Sequence, residues 1–353
     1  MVLELRSSYL QDDVVLLLKD ITGLVEPQST EEREKLIQSG KHYCEMLPIE
    51  YVPSQRYLEV YQAALRDYAK PVATAIGVLA EKVMQARGKG VVLVSLARAG
   101  TPIGILLKRY LKWKWQIEVP HYSISIIRGR GIDKNAIEFL LRHYGADKLL
   151  FVDGWIGKGA IQTTLQEALV DYPGVSPELA VVADPANATK LCGTHEDLLI
   201  PSSCLNSTVS GLVSRTFLRD DVIGESDFHG AVYYEELKDS DLSYEFIHAI
   251  ESEFQENSTI QEPAPLGHGI DEVRKLAEKF GIKDVNLIKP GIGETTRVLL
   301  RRVPWKVLVS EESAADPCLD SVRQLAEEKG VLIEYYPLQY YKACGIIKVL
   351  SDV

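Results

Sequence analysis

Four short runs of β-branched and apolar residues, Val91–Val94, Val119–Ile127, Lys148–Val152 and Leu179–Ala183, alternate with stretches of helical character. This alternation constrains the fold more than any other feature of the chain. The intervening helices are predicted from Pro102 through Arg109, over Asp133–Tyr144 and over Gly159–Val170, and a long helix over Gln55–Arg87 precedes the first strand. Strands joined through helices cannot pair as hairpins and must cross over to lie parallel. The pattern therefore predicts an α/β fold, a mostly parallel sheet with helices on both faces, in which ligands bind where loops leave the carboxyl ends of the strands.

A second, smaller α/β sandwich is predicted after residue 270. Its elements are helix Ile270–Phe280, strand Val285–Ile288, helix Thr295–Leu300, strand Val307–Val309, helix Leu319–Lys329, strand Val331–Tyr335 and a final turn Lys342–Gly345. The stretch Gln255–Gly269, with Glu262-Pro263-Ala264-Pro265, has linker composition. The expected division is thus 1–254, with an N-terminal extension 1–54, a linker 255–269 and a domain 270–353. Charge follows this division. Residues 270–353 hold 13 Lys+Arg and 13 Asp+Glu, so the net charge of -11 lies entirely upstream. Twelve acidic residues within Phe217–Asn257 supply much of it and read as solvated surface.

Such a charge argues against wrapping nucleic acid over the whole surface but leaves room for local basic patches. The apolar runs are far shorter than the ~20 residues of a membrane helix. The N-terminus lacks the features of a leader. Five scattered cysteines, Cys44, Cys192, Cys204, Cys318 and Cys344, form no disulfide framework and no CxxC pair. A cytoplasmic protein with no membrane partner is expected, and a homodimer is left open.

Two strand-end loops carry chemistry. In Leu149-Leu150-Phe151-Val152-Asp153-Gly154-Trp155-Ile156-Gly157-Lys158-Gly159-Ala160 the strand delivers an acid, and the glycines let backbone N–H groups and the next helix start point at one anion, with Lys158 adding charge. The spacing is neither a Walker A loop nor a complete dinucleotide fingerprint, and a ligand-free turn is the bland alternative. The loop Ala97-Arg98-Ala99-Gly100-Thr101-Pro102 sets a cation and a glycine at another strand end. Two anion sites imply a polyphosphorylated ligand. Between them, Arg128-Gly129-Arg130-Gly131 could close as a lid, or be a solvated turn.

Together these residues resemble a type I phosphoribosyltransferase. The resemblance implies that Asp153 holds the ribose and contributes to a Mg2+ site. It assigns the 5-phosphate of phosphoribosyl diphosphate to Gly157, Lys158, Gly159 and Ala160 beside Gly154, and the diphosphate to Arg98, Ala99, Gly100 and Thr101. Arg98, Arg128 and Arg130 would stabilise departing negative charge. The usual second acid of that motif is Gly154 here. A polar stretch containing Asn206, Ser207, Ser210, Arg215 and Thr216 could read the acceptor, although turns and helix caps use the same residue types.

The C-terminal segment, with Lys289-Pro290-Gly291-Ile292-Gly293-Glu294-Thr295-Thr296-Arg297 and Tyr341-Lys342-Ala343-Cys344-Gly345-Ile346, resembles the RNA-binding domain of Pelota. Lys289, Arg297, Arg301 and Arg302 are the candidate contacts to structured RNA, with protein docking as the alternative. The combination resembles the StiP family, which is associated with tellurite resistance and stress and often labelled cysteine protease-like. The leading expectation is phosphoribosyl transfer to or from a base or nucleotide. The alternatives are a non-catalytic sensor of nucleotide or phosphoribosyl diphosphate coupled to RNA, and a cysteine hydrolase. Cys204 with His195 is the pair weighed for the hydrolase, whereas His42 and Cys44, two residues apart, would not face each other on a helix.

Overall fold

The computed structural model describes residues 5–50, 52–259 and 268–349. The chain begins with β1 (Val15–Leu16), β2 (Lys19–Asp20), α1 (Thr30–Gln38) and the 33-residue α2 (Gln55–Arg87). Crossover units follow: β3 (Val92–Leu96), α3 (Gly100–Trp115), β4 (His121–Ile124), a small hairpin of β5 (Ile126–Ile127) and β6 (Gly131–Ile132), α4 (Lys134–His143), β7 (Leu149–Trp155), α5 (Ala160–Ala168), β8 (Leu179–Ala183) and β9 (Cys192–Thr194). The larger domain ends with β10 (Gly230–Ala231) and α6 (Ser243–Glu251). Its six-stranded sheet runs β1-β4-β3-β7-β8-β9, parallel at every pairing.

Sequence pattern explains the layers. All five residues of β3 and of β8 are buried, as a strand covered on both faces requires. Along α2, Tyr57, Tyr61, Leu65, Val72, Ile76, Leu79 and Val83 recur at steps of three, four or seven, giving one buried stripe. Each large side chain so removed from water contributes roughly 1.5–3 kcal/mol. Ser54 caps the start of α2, accepting from Tyr57 N, and Gly88 ends it at φ 66°. The acidic stretch 217–257 is not all solvated: Phe217, Phe246, Ile247 and Ile250 are buried.

The second domain comprises α7 (Gly269–Lys279), β11 (Ile288–Pro290), α8 (Ile292–Arg301), β12 (Pro304–Ser310), α9 (Asp320–Lys329), β13 (Leu332–Tyr336) and β14 (Ala343–Ile347), with a mixed sheet in the order β11-β14-β12-β13. The expected final turn is instead β14, fully buried and antiparallel to both neighbours. The expected strand Val285–Ile288 starts as a 3-10 turn and pairs only from Ile288. Most of the predicted linker lies outside the described residues, at 260–267. Among the described residues no helix is long and apolar enough to cross a membrane.

Candidate functional site

The carboxyl ends of β3 and β7 open into a cavity of about 310 Å3 whose far wall is the C-terminal domain. At the end of β3 the Ala97–Arg98 peptide is cis and α3 begins at once. Gly100 is required there, because a Cβ would sit 2.3 Å from the Val152 carbonyl oxygen. Arg98 is nearly buried, donating to Val213 O at 2.7 Å and pairing with Glu50 at 3.5 Å. At the end of β7, Asp153 accepts from Gly154 N at 2.7 Å, and burial pushes its carboxyl up to about 6. A side chain at 154 would meet Ala99 O at an ordinary 3.6 Å, so glycine there is not a steric necessity.

The loop after Asp153 is clamped by the C-terminal domain. Lys158 Nζ donates to Val285 O at 2.5 Å and Ile288 O at 2.9 Å, and Tyr341 donates to Gly157 O at 2.8 Å. Gly293 lies so close to Trp155 that a Cβ would fall 2.5 Å from its ring, and Arg297 stacks on that ring at 4.3 Å. Asp197 bolts the domains together: it accepts from Ile292 N, the first amide of α8, and from Lys342 N at 2.8 Å.

Nine cations line this cavity against two carboxylates, Asp153 and Glu294. Arg33, Arg98, Arg215, Arg301 and Arg302 crowd one part of the wall, and Arg128, Lys158 and Lys289 another, with Arg297 joining them. Burial lowers Arg215 to about 10, Lys158 to about 8 and Lys289 to about 7, and neighbouring cations add to each shift. The donor set does not suit a resident magnesium ion, which takes carboxylate and water oxygens and would here arrive only on phosphate oxygens.

The sequence-predicted residues divide. Arg98, Ala99, Arg128, Asp153, Gly157, Lys158, Gly159, Ala160, Arg215 and Thr216 share the cavity. Arg130 instead pairs with Glu45 at 2.8 Å, and Thr101 bonds Ser123 at 2.8 Å inside the fold. Asn206 accepts from Arg301, Ser207 donates to Glu50, and Ser210 donates to Asn206 O, so these three hold backbone and side chains in place. Lys289, Arg297, Arg301 and Arg302, expected on an RNA face, all turn into the cavity. Arg33, contributed by α1 from the expected extension, had no sequence signal.

The thiols are also redistributed. His195 contacts Cys192, not Cys204: Nε2 lies 3.4 Å from Cys192 Sγ, and Nδ1 donates to Asp184 O at 3.0 Å with Asp184 Oδ2 3.7 Å away. Lys82 Nζ lies 4.0 Å from the same sulfur. One ligand atom from each of Asp184, Cys192 and His195 lies within 4.8 Å of the others. His42 and Cys44 do meet, at 3.0 Å, because His42 is the extended cap of a 3-10 turn rather than part of an α-helix. Burial pushes the Cys44 thiol up to about 11 and Cys344 to about 12, and also raises Cys204 and Cys318.

Residues 7–251 match the family model described as tellurite-like stress resistance cysteine protease StiP, and residues 267–349 match that of the PELOTA RNA binding domain. The chain belongs to the StiP family. It is 37% identical over 329 residues, 88% of this chain and 85% of the other, to a protein of Acinetobacter baylyi named cysteine protease StiP. Among solved structures, a hypothetical protein from Neisseria gonorrhoeae with bound ppGpp is similar at 19% identity over 35% of this chain and 71% of that one, with a TM-score of 0.24. The StiP assignment overturns the expectation of phosphoribosyl transfer, since both the family and the A. baylyi relative are described as cysteine proteases. The site departs from transferase chemistry as well: one buried acid stands where that chemistry uses two, and Lys158 is engaged by carbonyls of the second domain.

Proposed function

We propose that this StiP-family chain is a cysteine-dependent protease with Cys192 as nucleophile, His195 as its base and Asp184 as the group that orients His195. The observation carrying this reading is the cluster of thiol, imidazole and aspartate, with Cys192 Sγ 3.4 Å from His195 Nε2 and 3.8 Å from Nδ1, and Nδ1 3.0 Å from the Asp184 backbone O. The Nδ1–H bond to that carbonyl fixes the tautomer that leaves Nε2 unprotonated, and a small rotation of the ring would turn Nε2 to the thiol. Lys82 places an ammonium 4.0 Å from the same sulfur. Among the five cysteines this is the one flanked by both an imidazole and an ammonium at these distances.

In this reading Sγ bonds to the substrate carbonyl carbon as Nε2 takes the thiol proton, and His195 returns that proton to the departing amine. Water then cleaves the thioester, releasing a carboxylate and restoring the thiol. Cys192 is fully buried while His195 keeps 19% of its side chain exposed, so substrate approaches from the histidine side. The test is mass-spectrometric mapping of iodoacetamide labelling near neutral pH, together with hydrolysis of a casein substrate. Cys192→Ala is expected to lose activity at least ~100-fold while Cys44→Ala keeps it. The reverse pattern would refute the assignment.

A second reading, RNA contact by the C-terminal domain, is favoured by an aromatic platform away from the cavity cations. Lys306 Nζ lies 4.9 Å over Phe280 and 4.6 Å over Trp305, Lys279 Nζ lies 4.6 Å over Tyr336, and Trp305 is 43% exposed. Rings beside ammonium groups suit unpaired RNA bases and their phosphates. Trp305→Ala should weaken binding of a single-stranded oligoribonucleotide by about tenfold. Unchanged affinity would remove this surface from consideration.

A further inference from the structure

β8 and β9 lie side by side and parallel, with Val181 opposite Cys192 and Ala183 opposite Thr194. Asp184 directly follows β8, Cys192 opens β9 and His195 directly follows it, so two neighbouring strands deliver a carboxylate, a thiol and an imidazole to one place. One ligand atom from each lies within 4.8 Å of the others, and among the described residues no other three His, Cys, Asp or Glu side chains meet so closely. The strand ends that carry them are fixed. Asp184 N donates to Thr194 O at 2.9 Å, and α2 packs so tightly on β9 that a Cβ at Gly193 would lie 2.4 Å from Ala75 O. None of the three residues lines the cavity between the domains.

The hydrogen bonds leave room for a cation. Asp184 is 0% exposed; its Oδ2 accepts from Ala188 N at 2.7 Å and Thr189 N at 2.8 Å, whereas its Oδ1 is buried without a hydrogen-bond partner. A buried carboxylate oxygen in that state lacks a proton donor or a positive ion. The Nδ1–H of His195 goes to the Asp184 backbone O, the kind of bond that orients an imidazole whose other nitrogen holds a metal. Ligand atoms around a tetrahedral zinc ion, at about 2.0–2.3 Å from it, stand about 3.3–3.6 Å from one another. The edge from Cys192 Sγ to His195 Nε2 already measures 3.4 Å, and His195 has room to turn so that the remaining edges close. By contrast, Cys44 and His42 meet at 3.0 Å with no third ligand in reach. Magnesium and calcium take oxygen donors and find one carboxylate here; a thiolate, an imidazole and a carboxylate suit zinc. Lys82 Nζ, 2.7 Å from Cys192 O, stands outside the ligand set as a donor toward the sulfur.

We propose that Asp184, Cys192 and His195 bind one divalent ion of the zinc class, with the fourth position left to water, and that the bound ion shuts off the protease by holding its nucleophile as a thiolate ligand. Binding forms a metal–sulfur bond and expels the thiol proton to solvent; no electron is transferred. The metal site stands on the geometry above, while its inhibitory effect rests on the protease reading.

The test is titration of the reduced, EDTA-treated and desalted full chain with Co2+, which reports its own ligands by absorption, followed by displacement with Zn2+. One equivalent of Co2+ is expected to give a thiolate charge-transfer band and the intense visible bands of tetrahedral coordination, and one equivalent of Zn2+ to erase them. Cys192→Ser should abolish the charge-transfer band, and His195→Gln and Asp184→Asn should each weaken Zn2+ binding at least ~10-fold, whereas Cys204→Ala should leave the titration unchanged. Hydrolysis of dephosphorylated casein should stop as the same equivalent of Zn2+ binds and return with EDTA. Absence of the band, its survival in Cys192→Ser, affinity unchanged by both His195→Gln and Asp184→Asn, or full activity of the zinc-loaded protein would each overturn the proposal. The two readings fail separately. A band that requires Cys192 in a protein without proteolytic activity upholds the metal site and removes the protease; activity that requires Cys192 in a protein that binds no stoichiometric metal does the reverse.

Discussion

Replacing Lys289 by methionine should stabilise the unliganded protein, although it removes a charged residue from a site. Lys289 lies on β11 with Lys158, Arg128 and Arg302 near it and Glu294 opposing them. Burial, reinforced by those cations, lowers its ammonium from the ordinary 10.5 to about 7. At about 1.4 kcal/mol per pH unit this difference sets a ceiling of roughly 5 kcal/mol. Relaxation around a residue that is only half-buried reduces the expected figure to about 2 kcal/mol. The sign follows from proton binding. Between about pH 7 and about pH 10.5 the unfolded chain holds a proton that the folded chain has released, so stability rises with pH across that window. Lys289→Met removes this contribution. The variant should exceed the parent by about 2 kcal/mol at pH 7, and the gap should narrow as the pH approaches 10. Urea unfolding of both proteins in phosphate-free buffer at about pH 7 and about pH 9.5 measures it. A variant that is less stable at pH 7, or whose advantage does not shrink with pH, would refute the argument that the cavity holds uncompensated positive charge.

Two further substitutions probe the joint and the thiol site. Asp197→Ala strips the acceptor from Ile292 N and Lys342 N and should lower the stability of the docked C-terminal domain by about 2–4 kcal/mol, read by calorimetry; an unchanged transition would show that the bolt carries no strength. Asp184→Asn separates stability from activity. Burial raises the Asp184 carboxyl to about 6, so the folded state binds its proton more tightly, and this contribution is lost as pH rises from about 4 through about 6. The variant should be about 1 kcal/mol more stable near pH 7.5, converge with the parent near pH 4, and keep most of its proteolytic activity, because the carbonyl that holds His195 Nδ1 is backbone and survives the substitution. Urea titrations at both pH values and the casein assay check this; a variant that is less stable at pH 7.5 would contradict the sign.

The parallel sheet was legible because β3, β7 and β8 are continuous apolar runs, and a strand buried on both faces has no other way to be written. The loops carrying Arg98 and Lys158 were legible for a related reason, since a cation beside glycine at a strand end has few structural uses. β9 escaped notice. Cys192-Gly193-Thr194 has no apolar run, and its glycine is set by packing, as a Cβ there would lie 2.4 Å from Ala75 O. The small-residue sequence Ala343-Cys344-Gly345 reads as a turn, whereas in β14 Gly345 is small so that Thr295 and Val298 of α8 can approach it. Neither the pairing of Cys192 with His195 nor the inward turn of Lys289, Arg297, Arg301 and Arg302 was legible. Both depend on where separate elements dock, and a run of basic residues reads alike on an outer face and on an inner wall. The transferase expectation fails at this same point: the loop sequence presents Lys158 to a phosphate, and the structure gives its ammonium two carbonyl partners from the other domain.

The net charge of -11 and the basic cavity together select for ligand size. An acidic exterior repels a long polyanion along its whole length, whereas a small anion meets that repulsion only at the mouth and then enters a low-dielectric space lined with cations. The C-terminal domain, with 13 basic and 13 acidic residues, is the part of the surface where a nucleic acid strand meets least opposition, and the ring platform of Phe280, Trp305 and Tyr336 lies there. Exposed contacts to an RNA strand are screened over about 10 Å at 0.1 M salt. Raising salt from about 0.05 to about 0.3 M should therefore weaken oligoribonucleotide binding steeply, read by fluorescence anisotropy. A flat response would remove phosphate contacts from the account of that surface.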